Sequence, residues 1–214
     1  MDMRVKLTLT EELLGTASAN PEIYSEHVAG GHPNAGAETE TLPPEEEIAK
    51  GTTVFHRTAD GKPMIYDYQI KGFFKDACGA LARAADTESG KLTSYKKVID
   101  GLVFVAPRQI VLELPAGAEI GFCERPLRAN TAQGERIALA RSETVPAGTT
   151  FTIRITAYDL AKKKAKGGED GEPNKANLQD CIEEWLDYGK LKGLGAWRNS
   201  GKGRFGWCEL VAEK

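Results

Sequence analysis

The sequence has few of the features that mark a membrane-bound, metal-binding or redox-active chain. No apolar run approaches the length of a membrane span, and the opening residues, MDMRVKLTLTEELL, contain no apolar signal core. The four cysteines form no CxxC pair, which argues against a zinc site. A P-loop, a Ser-His-Asp set and a dinucleotide fingerprint are missing as well. We therefore expect a cytoplasmic protein with reduced cysteines, no cofactor, no metal and no membrane partner.

Neither sign of charge dominates the composition. The chain has 28 Lys and Arg residues against 31 Asp and Glu residues, so its formal net charge is −3. Because electrostatic binding of nucleic acid needs clustered positive charge, any basic groove must be local. A hydrophobic fraction of 41% over 214 residues predicts one domain covering 1–214, with an insertion at 16–50 and an exposed loop at 160–177.

Local positive charge is concentrated near the carboxyl end, in the segment 189–207, GKLKGLGAWRNSGKGRFGW. It holds six glycines, five basic residues and three aromatic residues. Glycine lets a backbone approach a ligand closely, and successive N–H groups can then form an anion-binding nest. The cations suit phosphates and the aromatic rings suit bases. An alternative interpretation, a glycine-rich hairpin with a solvated basic edge, is about equally compatible with the composition.

Hydrophobic periodicity predicts an ordered series of strands and helices. Val5, Leu7 and Leu9 alternate with polar residues, which is the pattern of a half-buried strand. The predicted series is a strand at 3–10, a short strand at 52–57, a helix at 70–85, strands at 98–105 and 109–114, a projecting hairpin within 115–150, a strand at 151–158, a helix at 178–188 that Gly189 ends, and a final strand at 207–212. The simplest arrangement is an α+β, ferredoxin-like (RRM-like) β-α-β-β-α-β core with helices packed on an antiparallel sheet.

Four segments, in this order, resemble the RAMP superfamily of CRISPR-associated proteins, and within it the backbone subunits of type III effector complexes. GLGAWRNSGKGRFG is similar to that family's glycine-rich loop, and KPMIYDYQIKGFFKDACGAL is similar to the segment that enters its first helix with a Lys-Gly pair. ETVPAGTTFTIRI resembles the Glu-x-Val-Pro-x-Gly-x-x-Phe run before a core strand, and RPLRANTAQGERIAL occupies the place of a basic hairpin. This chain departs from the pattern at Tyr66, Asp67 and Tyr68, where the family has Pro-Gly-Ser.

The resemblance implies a ferredoxin-like palm, a β-hairpin thumb and a glycine-rich loop that bind the backbone of RNA or single-stranded DNA without reading its sequence. It also implies self-association into a head-to-tail filament, other CRISPR-type subunits as partners, and a place in antiviral defence. The positions of this chain that match the family's binding segments are Lys71, Gly72, Arg125, Arg128, Arg136, Gly193, Gly195, Arg198, Ser200, Lys202 and Arg204.

Catalysis is a separate question. Some subunits of the resembled family cut target RNA with an acidic residue in an early loop. The matching segment here, AKGTTVFHR, has no aspartate, so we expect no cleavage by that mechanism. The enzymatic alternative is a metal-independent endoribonuclease that processes guide RNA, with His27, His32 and His56 as candidates for general acid–base catalysis. A third alternative is a mobile-element protein that interferes with, or borrows, a host CRISPR complex.

Overall fold

The computed structural model describes residues 1–19, 52–131, 134–160 and 176–210. Within these ranges the chain is a mixed α+β protein with four α-helices and three β-sheets, so the predicted α+β class is confirmed. The helices are α1 Asp67–Leu81, α2 Glu88–Lys91, α3 Tyr95–Leu102 and α4 Leu178–Lys192, and a 3-10 turn covers Arg198–Ser200. The strands are β1 Asp2–Leu9, β2 Leu13–Leu14, β3 Ala17–Ser18, β4 Thr53–Val54, β5 His56–Arg57, β6 Pro63–Tyr66, β7 Val103–Ala106, β8 Gln109–Val111, β9 Gly121–Thr131, β10 Gly134–Val145, β11 Thr150–Ala157 and β12 Phe205–Glu209.

The largest layer of the core is an antiparallel sheet with the strand order β12-β1-β11-β7. Val5 lies opposite Ile153 of β11 and Glu209 of β12, at the centre of the sheet. Strand β1 alternates between exposed and buried residues along its whole length, as its sequence predicts. One face of the sheet therefore belongs to the hydrophobic core, while the other carries polar side chains.

Helices α1 and α4 contribute the aromatic part of the same core. The ring of Phe73 lies 5.4 Å from that of Phe205 in β12, and the ring of Phe74 lies 5.4 Å from that of Trp185 in α4. All four side chains are at most 3% exposed. The spacing of these apolar residues correctly predicts both helices, although α1 begins and ends earlier than the predicted 70–85. It begins there because the Gln69 side chain accepts a hydrogen bond from the Tyr66 backbone N–H (2.8 Å), which satisfies a donor at the helix start.

The predicted strand at 98–105 is wrong in its first half. Helix α3 continues to Leu102, and the strand begins only at Val103. The apolar residues Tyr95, Val98, Ile99 and Leu102 recur at helical spacing and pack on the core, with Ile99 fully buried. The alternation that predicts a strand holds only from Val103 onward, so helical periodicity decides the earlier residues.

The predicted end of the second long helix at Gly189 is also wrong. Helix α4 passes through Gly189 and ends at Lys192, followed by Gly193 with φ +80°. A Cβ atom at position 189 would stand 2.0 Å from Cζ of Phe205. Gly189 therefore allows β12 to pack against α4, and Gly193 is the glycine that terminates the helix.

The long hairpin predicted within 115–150 is present as β9 and β10, which pair from Gly121 opposite Thr144 to Thr131 opposite Gly134. At its base β10 also pairs with β2 and β4, which fixes the hairpin to the body of the protein. The predicted final strand begins earlier than expected, at Phe205. Most of the predicted insertion (20–50) and most of the predicted loop (161–175) lie outside the described residues. Among the described residues, no helix is both long enough and apolar enough to cross a membrane.

The four cysteines differ in environment, and this predicts a labelling pattern. Cys78 and Cys181 are fully buried, and desolvation raises the pKa of both thiols, that of Cys181 to about 12. Cys208 is exposed and Cys123 is half-buried. Because the thiolate is the reactive form, we expect a thiol reagent at about pH 8 to modify Cys208 first, Cys123 more slowly, and the buried pair only after unfolding. Equal labelling rates for all four thiols in the native protein would contradict this assignment.

Candidate nucleic-acid interface

An open cavity of about 390 Å³ lies between the first half of α1, the loop after α4 and the strands β4 to β6. Three residues of the predicted binding set line it together: Gly72 from α1, and Gly195 and Arg198 from the loop. They come from segments more than 100 positions apart in the chain, so their meeting depends on the packing of α1 against α4. The cavity is the place where the predicted helix start and the predicted glycine-rich loop face the same space.

The glycines of the loop are used mainly for internal packing. A Cβ atom at Gly193 would lie 2.3 Å from the carbonyl oxygen of Lys202, and one at Gly203 would lie 2.0 Å from that of Leu194. The backbone N–H of Leu194 donates to the Gly203 carbonyl (2.8 Å), and that of Gly203 donates to the Glu12 carbonyl (2.8 Å). These N–H groups are therefore satisfied within the fold, which favours the glycine-rich hairpin over an anion-binding nest at these positions.

Two of the loop cations already have acidic partners. Arg198 Nη1 lies 2.7 Å from Asp76 Oδ2 of α1, and Lys202 donates to the carboxylate of Glu12. The hydrogen bond to Glu12 raises the pKa of Lys202, so this side chain stays charged over the physiological range. Both pairs are partly exposed, and such pairs contribute only about 0–1 kcal/mol to stability. A phosphate can therefore compete for these cations at small structural cost.

A contact between a cation and an aromatic ring joins the hairpin to the loop. The guanidinium of Arg125, near the base of β9, lies 4.8 Å from the ring centroid of Trp197, and its Nη1 lies 3.5 Å from Ser142 Oγ. Trp197 is 39% exposed and has the left-handed φ of 55°, directly before the 3-10 turn that contains Ser200. We name the following four residues the basic cluster: Arg125, Arg198, Lys202 and Arg204. Trp197 connects the hairpin residue of this cluster to its loop residues, because it contacts Arg125 and directly precedes Arg198.

The structure places another predicted cation, Lys71, away from this cluster. Lys71 lies on a different side of α1, where its Nζ donates to the Asp100 carbonyl (3.2 Å) and lies 5.4 Å from the ring centroid of Phe104. Arg128 and Arg136 occupy neighbouring steps of the hairpin ladder, opposite Ile137 and Ala129. The binding role predicted for Arg128 and Arg136 therefore stays a prediction, and so does that of Lys71, which lies apart from the basic cluster.

One exposed stripe of α1 borders the cavity. Tyr68, Gly72 and Asp76 are exposed and follow one another at intervals of four residues, close to one helical turn. A Cβ atom at Gly72 would meet no described residue within 4 Å, so none of these residues requires a glycine there. Since Asp76 pairs with Arg198, the stripe ends at the basic cluster. Gly72 is the lowest point of this surface, where an extended ligand could come closest to the helix.

Two aromatic residues of this surface are absent from the predicted binding set: Trp197, although it is one of the three aromatic residues noted in the glycine-rich segment, and Tyr68. Trp197 carries a usable signal, because it stands among cations in the glycine-rich segment. Tyr68 belongs to the segment that departs from the resembled family, so no pattern pointed to it. Among the histidine candidates, His56 lines the cavity, with its ring edge-on to Tyr66 at 4.8 Å, while His27 and His32 lie outside the described residues. Within the described ranges, no group of three His, Cys, Asp or Glu side chains could hold a metal ion.

The solved structures that are similar to this chain include two CRISPR-related complexes. One, a type IV-B CRISPR complex, matches with a TM-score of 0.48 and 12% sequence identity, covering 100% of this chain and 92% of the other. The second, a type III-B Cmr-beta complex bound to cognate target RNA, matches with a TM-score of 0.47 and 13% identity, covering 99% of this chain and 60% of the other. No protein-family model and no curated protein matches the sequence. Both similar structures are CRISPR effector complexes.

Proposed function

We propose that this protein binds the sugar–phosphate backbone of RNA or single-stranded DNA without sequence preference, as a divergent, RAMP-like protein related to CRISPR backbone subunits. The observation that carries the proposal is the meeting of three segments at one open surface: the stripe on α1, the loop after α4 and the base of the hairpin. Cations and aromatic rings occur together on this surface, as in the contact of Arg125 with Trp197, and that combination binds single strands through phosphates and stacked bases. The net charge of −3 makes such local concentration necessary.

The order of the main sheet supports a ferredoxin-like palm for this protein. Its core elements follow one another as β1, α1, β7, β11, α4 and β12, and the strands are ordered β12-β1-β11-β7 in space. This is the arrangement expected when each helix connects two strands of an antiparallel sheet across one neighbour. In the proposal the sheet and its helices form the palm, and β9 with β10 forms the thumb.

The proposal extends to assembly. A strand longer than one binding surface is covered by several copies, so we propose head-to-tail association along the nucleic acid, with other CRISPR-type subunits as further partners in the cytoplasm. The expected result is that the sedimentation coefficient rises stepwise with strand length when protein is added to oligonucleotides. A single bound copy on strands of every length would contradict assembly and leave binding itself unaffected.

The experiment that tests binding is fluorescence anisotropy with labelled oligouridine and oligothymidine strands of about twelve nucleotides, within the range of single-strand sites. We expect saturable binding that weakens as salt rises. Binding releases condensed cations from the phosphates, and the free energy gained from that release becomes smaller as the salt concentration increases. A matched duplex should compete poorly, since its bases cannot reach the aromatic rings. No binding at low salt would overturn the proposed function.

Gly72 provides a sharper test, because stability and binding should change in opposite directions. Replacing an exposed glycine inside a helix raises stability by about 0.5–1 kcal/mol, and no residue in the described part of the chain obstructs a Cβ atom here. The variant Gly72→Leu should therefore melt at a higher temperature. It should nevertheless bind single strands roughly tenfold more weakly, because the new side chain stands where the backbone approaches α1, and steric displacement costs about 1–3 kcal/mol.

The matched control is Gly101→Leu in α3, an exposed position where a Cβ atom also meets none of the residues that the structure describes within 4 Å. It should leave single-strand affinity unchanged. If Gly72→Leu binds as tightly as the parent protein, the strand does not pass over α1 and this path is wrong.

His56 supports one second candidate, the metal-independent endoribonuclease, because it lines the same cavity as Gly72 and Arg198. The discriminating measurement is incubation of purified protein with single-stranded RNA in the presence of a chelator. Cleavage that disappears in His56→Ala, while binding persists, would favour the enzyme over the binding protein. Intact RNA after long incubation with the parent protein would exclude it.

A further inference from the structure

We propose that Tyr68 and Arg108 form a nucleobase-stacking site at the start of α1, occupied by one base of the bound strand. This inference rests on the proposed function, since it names what one part of the strand does. The resemblance to a known family does not supply it, because that family has Pro-Gly-Ser where this chain has Tyr66, Asp67 and Tyr68.

The site is a cluster of three aromatic rings and one arginine. The rings of Tyr66 and Tyr68 stack at 5.4 Å with an interplanar angle of 17°, and His56 meets Tyr66 edge-on at 4.8 Å. The guanidinium of Arg108 lies 5.7 Å from the centroid of Tyr66 and 5.5 Å from that of Tyr68. This cluster therefore holds aromatic rings beside a cation, and its rings come from β5, β6 and the first turn of α1.

The outer part of the cluster is open to solvent. Tyr68 is 50% exposed and the Arg108 side chain is 68% exposed. Arg108 is held because its Nη1 lies 2.7 Å from Asp67 Oδ1. A guanidinium carries five N–H donors, so this pair leaves donors for a second acceptor. A ring that is already held in place beside a cation loses little conformational freedom when a ligand binds. A planar ring and a guanidinium together suit a ligand that is itself planar and rich in hydrogen-bond acceptors.

The position of Tyr68 points to a nucleobase as that ligand. Tyr68 begins the exposed stripe of α1 that continues through Gly72 to Asp76 and its partner Arg198. Eight residues of helix span about 12 Å, so the ring and the basic cluster are the two ends of one short path. A strand on this path places a phosphate near Arg198, passes closest to the helix at Gly72, and brings a base to Tyr68. Every base has a π-face, so the site tolerates any sequence, and acceptor atoms on the base edge can receive the remaining Arg108 donors.

The test separates base stacking from phosphate binding with two probes of equal length. The first is the single strand that binds more tightly in the experiment above, and the second is its abasic counterpart, which keeps the sugars and phosphates but has no bases. Removing a stacking ring weakens binding by roughly 5- to 150-fold. We expect Tyr68→Ala to lose this much affinity for the complete strand and almost none for the abasic strand, and Tyr68→Phe to bind both like the parent protein.

Each outcome has a distinct meaning. If the parent protein binds the complete strand but Tyr68→Ala binds it equally well, the stacking site is wrong and the proposed function stands. Equal losses for the two probes would also overturn the site, because they indicate damage to the fold or to phosphate contacts. Failure of the parent protein to bind either probe would overturn the proposed function and this inference with it. Arg108→Ala is a second variant that should reproduce the base-dependent loss, since it removes the cation and leaves the Tyr68 ring.

Discussion

A variant in which glutamine replaces all four residues of the basic cluster should bind single strands about 600-fold more weakly than the parent protein at about 0.1 M salt. The logarithm of the binding constant changes with the logarithm of salt by about −0.7 for each phosphate contacted on a single strand. Loss of four contacts should therefore reduce the magnitude of that slope by about 2.8. A salt concentration of about 0.1 M is one decade below 1 M, so this difference in slope lowers the binding constant there by about 600-fold. The measurement is anisotropy at a series of salt concentrations.

A matched control separates local contacts from the overall charge of the protein. Four exposed cations that neither line the cavity nor belong to the hairpin can be neutralised in the same way, with the same change in net charge: Lys62, Arg83, Lys96 and Lys97. This control should lose less than a factor of about ten, because charges beyond the Debye length of about 10 Å are largely screened. Equal losses of affinity in the two variants would mean that only the overall charge of the protein attracts nucleic acid. The candidate interface would then be wrong.

Replacement of Trp185 by alanine should lower the free energy of unfolding by about 3–5 kcal/mol, the range for removing a large buried aromatic side chain. Trp185 is fully buried in α4, and its ring packs 5.4 Å from that of Phe74 in α1. Its Nε1 donates to Ser89 Oγ (2.9 Å), and the same serine donates to Glu184 (2.5 Å). The side chain therefore holds α4 against both α1 and α2, and total stabilities of about 5–15 kcal/mol make this loss a large fraction.

Denaturant unfolding followed by circular dichroism measures the effect, with Trp185→Phe as the control. Phenylalanine keeps most of the packing but cannot donate to Ser89, so we expect a smaller loss of about 1–2 kcal/mol. A loss below about 1 kcal/mol for Trp185→Ala would show that the contact between α1 and α4 is not central to stability. Because that contact also brings the glycine-rich loop to α1, the alanine variant should bind single strands weakly in proportion to its unfolded fraction.

The candidate site shows how far sequence reasoning reached. Gly72, Gly195 and Arg198 were predicted from segments distant in the chain, and they line one cavity. Lys71 was predicted with Gly72 because the two are adjacent, yet neighbouring residues of a helix point about 100° apart, and Lys71 contacts Asp100 instead. Tyr68 was not predicted, although it lies one turn before Gly72 on the same stripe. A linear motif gives the order of its residues in the sequence, but it does not say which face of the helix each residue occupies.

The sequence by itself determined the elements that depend on local pattern. Alternation placed Val5 and Ile153 on the buried face of the sheet, and helical spacing predicted α1 and α4, because a regular backbone repeats its environment at a fixed period. The hairpin of β9 and β10 is predicted from a different local signal, the arginines of 115–150 in a context that contains Gly and Asn. Helix α3 is not predicted, although its apolar residues recur at helical spacing. The alternation that begins at Val103 leads to a predicted strand over 98–105, which includes the last residues of the helix.

Only the tertiary structure decided what the glycines and cations of the carboxyl-terminal loop do. Gly189 makes room for Phe205, and Gly203 makes room for the carbonyl of Leu194. Arg198 pairs with Asp76, which lies 122 residues earlier in the chain. These contacts depend on which surfaces meet after folding, and no short-range period encodes them, because a side chain's partner is set by packing and not by its neighbours in sequence.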